Sequence, residues 1–203
     1  MPIENYKCLH KEPNQGAPLI FTFHGTGGDE FQFYDLAQQL VAGAGVVSPR
    51  GDVSERGAMR FFHRSAEGVY DMKDLAARTD KMIEFISAYK ERYPDNPAYG
   101  FGYSNGANIL ASVVMKSPEL FERSGLLHPL ITWKPHTEVS FSGRHVLVTA
   151  GKHDPICPWP MSEKLIRWFQ EKGAKTSTEI HEGGHELWQS ELNALSSLLN
   201  AET

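Results

Sequence analysis

The sequence predicts an α/β fold built on a mostly parallel sheet with helices on both faces. Three observations carry this. Short, β-rich apolar runs alternate along the chain with stretches of helical period, and strands read as unbroken apolar runs when helices cover both faces of their sheet. The runs stop at clusters of Gly, Pro and Asp, which is turn chemistry. One run, Tyr99-Gly100-Phe101-Gly102-Tyr103, passes through Ser104-Asn105-Gly106 into the helix-forming stretch 109–115.

Taken in order, residues 6–10 alternate weakly and are expected as an edge strand, followed by a turn over 11–16. Leu19–Phe23 reads as a buried strand feeding the glycine-rich loop His24-Gly25-Thr26-Gly27-Gly28. A helix with Phe33, Leu36, Ala37 and Leu40 on its apolar face leads to a strand at 45–48. Over 50–73 the periodicity fails, and the stretch reads either as a long lid or binding loop or, equally, as a solvated excursion with a short helix. Leu75, Thr79, Met82, Ile83, Ile86 and Tyr89 restore helical spacing. Beyond the serine, strands are expected at 124–128, 145–150 and 175–181, helices at 161–172 and 186–201, and loop over 129–143.

With 203 residues the chain can bury a core of its own and is expected as one domain, 1–203. A net charge of −5 leaves no electrostatic footprint for nucleic acid or an anionic membrane. No apolar run has the length of a membrane span. The first residues lack the basic and apolar regions of a signal peptide. Cys8 and Cys157 lie far apart, without a C-x-x-C, and read as reduced thiols. The expected location is the cytoplasm.

A serine hydroxyl is a weak nucleophile at neutral pH. It needs a base, and the base needs a carboxylate to fix its tautomer. Gly102 and Gly106 suit Ser104 because a strand–turn–helix elbow leaves no room for side chains two positions either side. Sites in open α/β sheets lie at the carboxyl ends of the strands, so the partners are sought just after later strands. Asp154 follows the run ending at Ala150 and is the only aspartate after Ser104. His185 follows the last strand, in Glu182-Gly183-Gly184-His185. Most glutamates of this region fall on helices or in strands and read as solvated, with Glu182 as the alternative acid. Alone, Asp154 is equally a turn former and His185 a helix-terminus histidine. Their joint placement gives Ser104, Asp154, His185, the chain order of α/β-hydrolases.

Acyl transfer also needs donors aimed at the developing oxyanion. The residue after the nucleophile supplies one backbone N–H, here Asn105, whose N–H is expected to matter more than its side chain. The loop after an early strand supplies the other, and Thr26 fits. No Lys-Ser/Thr follows this loop and its spacing is not Gly-x-Gly-x-x-Gly, so it does not read as a phosphate cradle. His24 reads as structural.

His181-Glu182-Gly183-Gly184-His185 matches the H-E-x-x-H of zinc peptidases. That motif works only on a helix, and two adjacent glycines would each cost about 1 kcal/mol of helix stability. His181 then has no assigned role. In Asp154-Pro155-Ile156-Cys157-Pro158-Trp159, Ile156 and Trp159 read as pocket lining or as simple packing, and Cys157 as apolar filler.

These motifs resemble the phospholipase/carboxylesterase family of α/β-hydrolases, which includes the acyl-protein thioesterases. The residues are His24-Gly25-Thr26-Gly27-Gly28, Gly102-Tyr103-Ser104-Asn105-Gly106, Asp154-Pro155-Ile156-Cys157-Pro158 and Gly184-His185-Glu186-Leu187. Ser48-Pro49-Arg50-Gly51, Arg60-Phe61-Phe62-His63-Arg64, Ala66-Glu67-Gly68 and Tyr70-Asp71 are similar to a bacterial branch, the MhqD-like hydrolases associated with quinone and catechol stress. The resemblance implies an α/β-hydrolase fold without a large cap domain, with Ser104 as nucleophile, Asp154 as acid, His185 as base, and Thr26 and Asn105 as oxyanion donors. It also implies that 50–71, with Arg60, Phe61, Phe62 and Arg64, shapes the substrate pocket. That segment is rich in arginine and aromatics, unlike an apolar acyl groove, and its arginines allow a substrate carrying a carboxylate. Many members are dimers, which makes a homodimer an expectation from resemblance alone. No cofactor or metal is expected. The expected activity is hydrolysis of small carboxylic esters or thioesters through an acyl-enzyme. A binding protein that keeps the fold without the chemistry, and a zinc peptidase, are the other classes.

Overall fold

In the computed structural model, which describes residues 2–135 and 138–201, the apolar runs become the strands of a central sheet. The first half of the chain forms β1 (Cys8–Lys11), β2 (Leu19–Phe23), α1 (Tyr34–Leu40) and β3 (Gly45–Pro49), then β4 (Val53–Glu55), β5 (Ala58–Arg60), β6 (Arg64–Ala66), β7 (Val69–Tyr70) and α2 (Met72–Arg92). The second half forms β8 (Ala98–Tyr103), α3 (Asn105–Lys116), β9 (Arg123–Leu127), β10 (His145–Gly151), α4 (Trp159–Glu171), β11 (Lys175–His181) and α5 (Gln189–Leu199).

Seven strands pair in the order β1-β3-β2-β8-β9-β10-β11. β1 runs antiparallel to β3, and all other neighbours are parallel. Successive strand residues point to opposite faces, and both faces are covered. Leu19, Phe21 and Phe23 join Met82, Phe85, Leu110 and Phe169 beneath α2, α3 and α4. Ile20 joins Ala37, Leu195 and Leu198 beneath α1 and α5. That double cover is why β2 is buried at every position and shows no alternation in sequence. From β2 the chain turns to β3 on one side, while β8 pairs on the other. The carboxyl ends of β2 and β8 therefore open a crevice where strand order reverses, the usual place for a site in such sheets.

Three expectations need correction. The stretch 50–73 is not one long loop but two hairpins, β4–β5 and β6–β7, ahead of the start of α2. Strands of two or three residues are too short to show a period. α4 starts at Trp159, not 161, because Pro160 is tolerated in a first helical turn, where its missing N–H costs nothing. α5 starts at Gln189, not 186. The Glu186 carboxylate instead accepts the Gly184 N–H and the Trp188 indole N–H, which ties 184–188 into a turn. Of the expected loop over 129–143, residues 136 and 137 lie outside the described residues. None of the described helices is long and apolar enough to cross a membrane.

Candidate active site

β8 ends at Tyr103 and α3 begins at Asn105, which leaves Ser104 alone in the turn at φ 53° and ψ −115°. Positive φ strains a residue with a side chain, and hydrogen bonds hold it there. The Ser104 N–H donates to the Leu127 carbonyl, and the Asn108 N–H donates to the Ser104 carbonyl, each at 2.9 Å. A Cβ on Gly102 would lie 2.6 Å from the Gly106 backbone, and one on Gly106 would lie 2.1 Å from the Phe23 carbonyl oxygen. The elbow is thus pressed backbone to backbone against the end of β2. A second such contact joins two later loops, since a Cβ on Gly151 would lie 2.1 Å from the Gly184 carbonyl oxygen.

At this end of the sheet the three expected side chains meet. His185 Nε2 lies 3.0 Å from Ser104 Oγ, and His185 Nδ1 lies 2.7 Å from Asp154 Oδ2. An ionised carboxylate only accepts, so His185 Nδ1 carries the proton and Nε2 is left to accept the serine hydroxyl. Asp154 Oδ1 accepts the N–H groups of Ile156 and Cys157, both at 2.8 Å. Burial alone would raise the Asp154 pKa. The Cys157 N–H, His185, His128 and the Ile156 N–H outweigh it and hold the carboxyl below its usual range. Asp154 is therefore both the turn former and the partner of the histidine. Glu182, the alternative acid, is exposed and pairs with Lys152 at 2.5 Å.

Thr26 and Asn105 line the same small cleft as Ser104. The Asn105 side chain does more than expected, since its Oδ1 accepts the Phe61 N–H at 2.8 Å and fastens the hairpin segment to the elbow. Arg60, Arg64 and Ile156 also reach the cleft. Arg60 Nη1 donates to Thr26 Oγ1 at 2.8 Å. Glu55 lies 3.3 Å from Arg60 and 2.9 Å from Arg64, and Glu67 pairs with Arg64 as well. Two cations thus arrive with two anions. Free volume in the cleft is ≈ 10 Å³, about that of one water. A larger groove of ≈ 390 Å³ runs between Ile131–Pro135 and α4 and touches none of these groups.

Phe61, Phe62 and Trp159 fall elsewhere. Phe61 and Phe62 are fully buried. Phe61 packs on Phe23 and His24, and Phe62 meets Tyr70 edge-on. They anchor the hairpins to the core and do not line the cleft. Trp159 opens α4 and packs against the core. His24 is structural, as expected: its Nε2 accepts the Gly51 N–H at 2.9 Å, and burial lowers its pKa. Burial also pushes the Cys157 thiol up, which suits a filler and not a nucleophile. The H-E-x-x-H stretch is not helical. His181 ends β11, and His185 lies in the turn before α5.

Sequence reasoning missed three neighbours of the site. The Tyr103 hydroxyl donates to the His185 carbonyl at 2.6 Å. His128 follows β9 at φ 51°, and its Nδ1 lies 2.8 Å from the same Asp154 Oδ2 that His185 uses. His128 Nε2 lies 2.9 Å from Glu191 Oε1, an ion-pair contact off the ring's N–H axis. Glu191 stands on a helix, where most glutamates read as solvated, yet it is fully buried and also faces His181 Nε2 at 3.1 Å. A signal for it was present: Glu191 stands four and seven residues before Leu195 and Leu198, on the apolar stripe of its helix.

No protein-family model matches the chain. It is 37% identical over 175 residues to the "Putative hydrolase MhqD" of Bacillus subtilis (strain 168), covering 85% of this chain and 88% of that one. Among solved structures, the Agrobacterium tumefaciens protein Atu2452, of unknown function, superposes with a TM-score of 0.95 at 46% identity, over 99% of this chain and 98% of its own. A Bacillus cereus carboxylesterase superposes with a TM-score of 0.90 at 31% identity, over 96% of this chain and 93% of its own. The sheet is mostly parallel and helix-covered, with no cap domain among the described residues, and together with these likenesses this makes the protein a carboxylesterase-type hydrolase. The chain belongs to the phospholipase/carboxylesterase family of α/β-hydrolases.

Proposed function

We propose that the protein hydrolyses small carboxylic esters through an acyl-enzyme on Ser104, with 1–203 acting as one domain. The observation that carries this is the chain of contacts from Ser104 Oγ through His185 to Asp154, at 3.0 and 2.7 Å, beside a cleft that Thr26 and Asn105 share. Ser104 Oγ attacks the carbonyl carbon while its proton passes to His185 Nε2. Asp154 keeps Nδ1 protonated and stabilises the imidazolium that forms. The oxyanion is received by the backbone N–H groups of Thr26 and Asn105. His185 returns the proton to the departing alcohol. It then takes one from the water that releases the acid.

The narrow cleft favours a short acyl group. Because Glu55 and Glu67 already match Arg60 and Arg64, the reading also favours a neutral ester over an anionic one. The test is hydrolysis of p-nitrophenyl acetate together with labelling by a fluorophosphonate. Turnover and labelling are expected in the parent protein, and neither in Ser104→Ala. Activity retained by Ser104→Ala overturns the assignment.

A further inference from the structure

We propose that His128 is a standing imidazolium, clamped between Asp154 and Glu191, that positions Asp154 and moderates the charge it presents to His185. This rests on the reading of Ser104, His185 and Asp154 given above. His128 is a positioning residue and does not touch the reacting atoms.

His128 presents Nδ1 to Asp154 Oδ2 at 2.8 Å and Nε2 to Glu191 Oε1 at 2.9 Å. At Nδ1 the contact is a hydrogen bond, which an ionised carboxylate can only accept. At Nε2 the Glu191 oxygen lies off the N–H axis, but a bare lone pair 2.9 Å from an anionic oxygen would be repelled, so both nitrogens are assigned a proton. The alternative is a proton on one of the acids, and the surroundings of both argue against it. Asp154 meets two backbone N–H groups at Oδ1 and two imidazoles at Oδ2. Glu191 Oε2 accepts the Trp188 N–H at 2.7 Å and faces His181 Nε2 at 3.1 Å. His181 Nδ1 accepts the Gly183 N–H at 3.0 Å, which puts that ring's proton on Nε2, close to Glu191 though outside hydrogen-bond geometry. Donors therefore surround Asp154, while Glu191 has the Trp188 N–H on Oε2 and two imidazole nitrogens within 3.1 Å.

The same tautomer disposes of a competing reading. His128, His181 and Glu191 bring three buried ligand-type atoms close together, but a metal there would need a bare His181 Nε2. The cluster is a proton network.

Its charge balance matters to the site. The groups facing His128 are Asp154 from the loop after β10, Thr149 of β10, Glu191 of α5, His181 of β11, Tyr103 of β8, His185, and the Cys157 thiol, which donates to the His128 carbonyl. Two buried carboxylates against one imidazolium leave a single negative charge, which the imidazolium of His185 completes during turnover. Without His128 the base would face two uncompensated anions, a costly burial. Burial opposes the cation, but Glu191 and Asp154 outweigh it and raise the His128 pKa. The strained φ of 51° is held by the His128 N–H donating to the Thr149 carbonyl at 3.1 Å.

Two experiments test this. The first needs no variant: long-range ¹H–¹⁵N spectra of the histidine-labelled protein from about pH 5 to about pH 9. One ring, assigned to His128 by its contacts to Tyr103 and Cys157, is expected to keep both nitrogens protonated at about pH 7. A neutral tautomer or a metal-bound nitrogen at that ring overturns the proposal. The second is His128→Gln, which keeps a donor for Asp154 and removes the charge. The acid limb of its kcat/KM profile on p-nitrophenyl acetate is expected to move up by about one pH unit, with the high-pH plateau kept within about tenfold. A profile that superposes on the parent's overturns the charge-moderating role. If the parent protein resists the fluorophosphonate, the catalytic reading fails instead, while the spectra still decide the state of His128.

Discussion

Tyr103 holds His185 by its backbone: the phenol donates to the His185 carbonyl at 2.6 Å, and the two rings lie 5.2 Å apart. Burial pushes the Tyr103 hydroxyl up to about 12, so it remains a donor throughout the working pH range. The residue before Ser104 thus fixes the turn that carries His185. Tyr103→Phe removes one hydrogen bond of about 1 kcal/mol. The expected result is a kcat about three- to tenfold lower with KM little changed, read from steady-state kinetics on p-nitrophenyl acetate.

Gly106→Ala should be far more damaging than an exposed Gly→Ala change. Its methyl group would sit 2.1 Å from the Phe23 carbonyl oxygen and 2.5 Å from that of His24, and neither backbone can withdraw without moving β2. A loss of about 3 kcal/mol or more in urea unfolding, or failure to accumulate as folded protein, is expected.

Asn105→Ala keeps the backbone N–H and deletes the acceptor for Phe61. A buried N–H left unpaired costs about 1–3 kcal/mol, so the unfolding midpoint should fall. Esterase activity should fall with it, because the hairpins that wall the cleft lose their tie to the elbow.

The buried charges give a pH signature that a difference measurement isolates. The His128 pKa is raised in the folded protein. Its contribution is full below about 6.5, where the unfolded residue is also charged, and is lost as pH rises through the folded value. His10, His24 and His145 are lowered by burial and run the other way, but they cancel between parent and variant. The stability gap between the parent and His128→Gln, from urea melts, should therefore be widest below about pH 6.5 and narrow at higher pH.

Substrate size is checked with p-nitrophenyl esters of increasing acyl length. A cleft with ≈ 10 Å³ of free volume predicts kcat/KM highest for acetate and lower by about tenfold or more for octanoate. Equal rates would place the acyl chain in the larger groove beside Trp133 and Trp168.

The sheet was legible because burial on both faces leaves its mark on composition. Leu19–Phe23 and His145–Gly151 announce themselves as apolar runs, and a helix such as α2 shows its period through Leu75, Met82 and Ile86. The hairpins between Val53 and Tyr70 were not legible. They carry no period, and ion pairs from Glu55 and two buried phenylalanines fasten them. Those same phenylalanines looked like pocket residues because sequence cannot say which way an aromatic turns. Ser104, Asp154 and His185 could be read because each follows a strand. His128 also follows one, but nothing local reveals that both of its nitrogens face acids. Glu191 is invisible as a buried anion until its partners are in place, since a glutamate on a helix is ordinarily solvated.

The paired backbone contacts of Gly106 with Phe23 and of Gly151 with Gly184 constrain what the lineage can inherit. No side chain fits at either crossing, so drift in the loops that carry Thr26, Ser104, Asp154 and His185 is closed off at those points. The segment from Val53 to Tyr70 walls the cleft through Arg60 and Arg64, and side-chain hydrogen bonds to Thr26 and Asn105 tie it to the rest of the site. Relatives that share the chemistry and differ in substrate should differ there first.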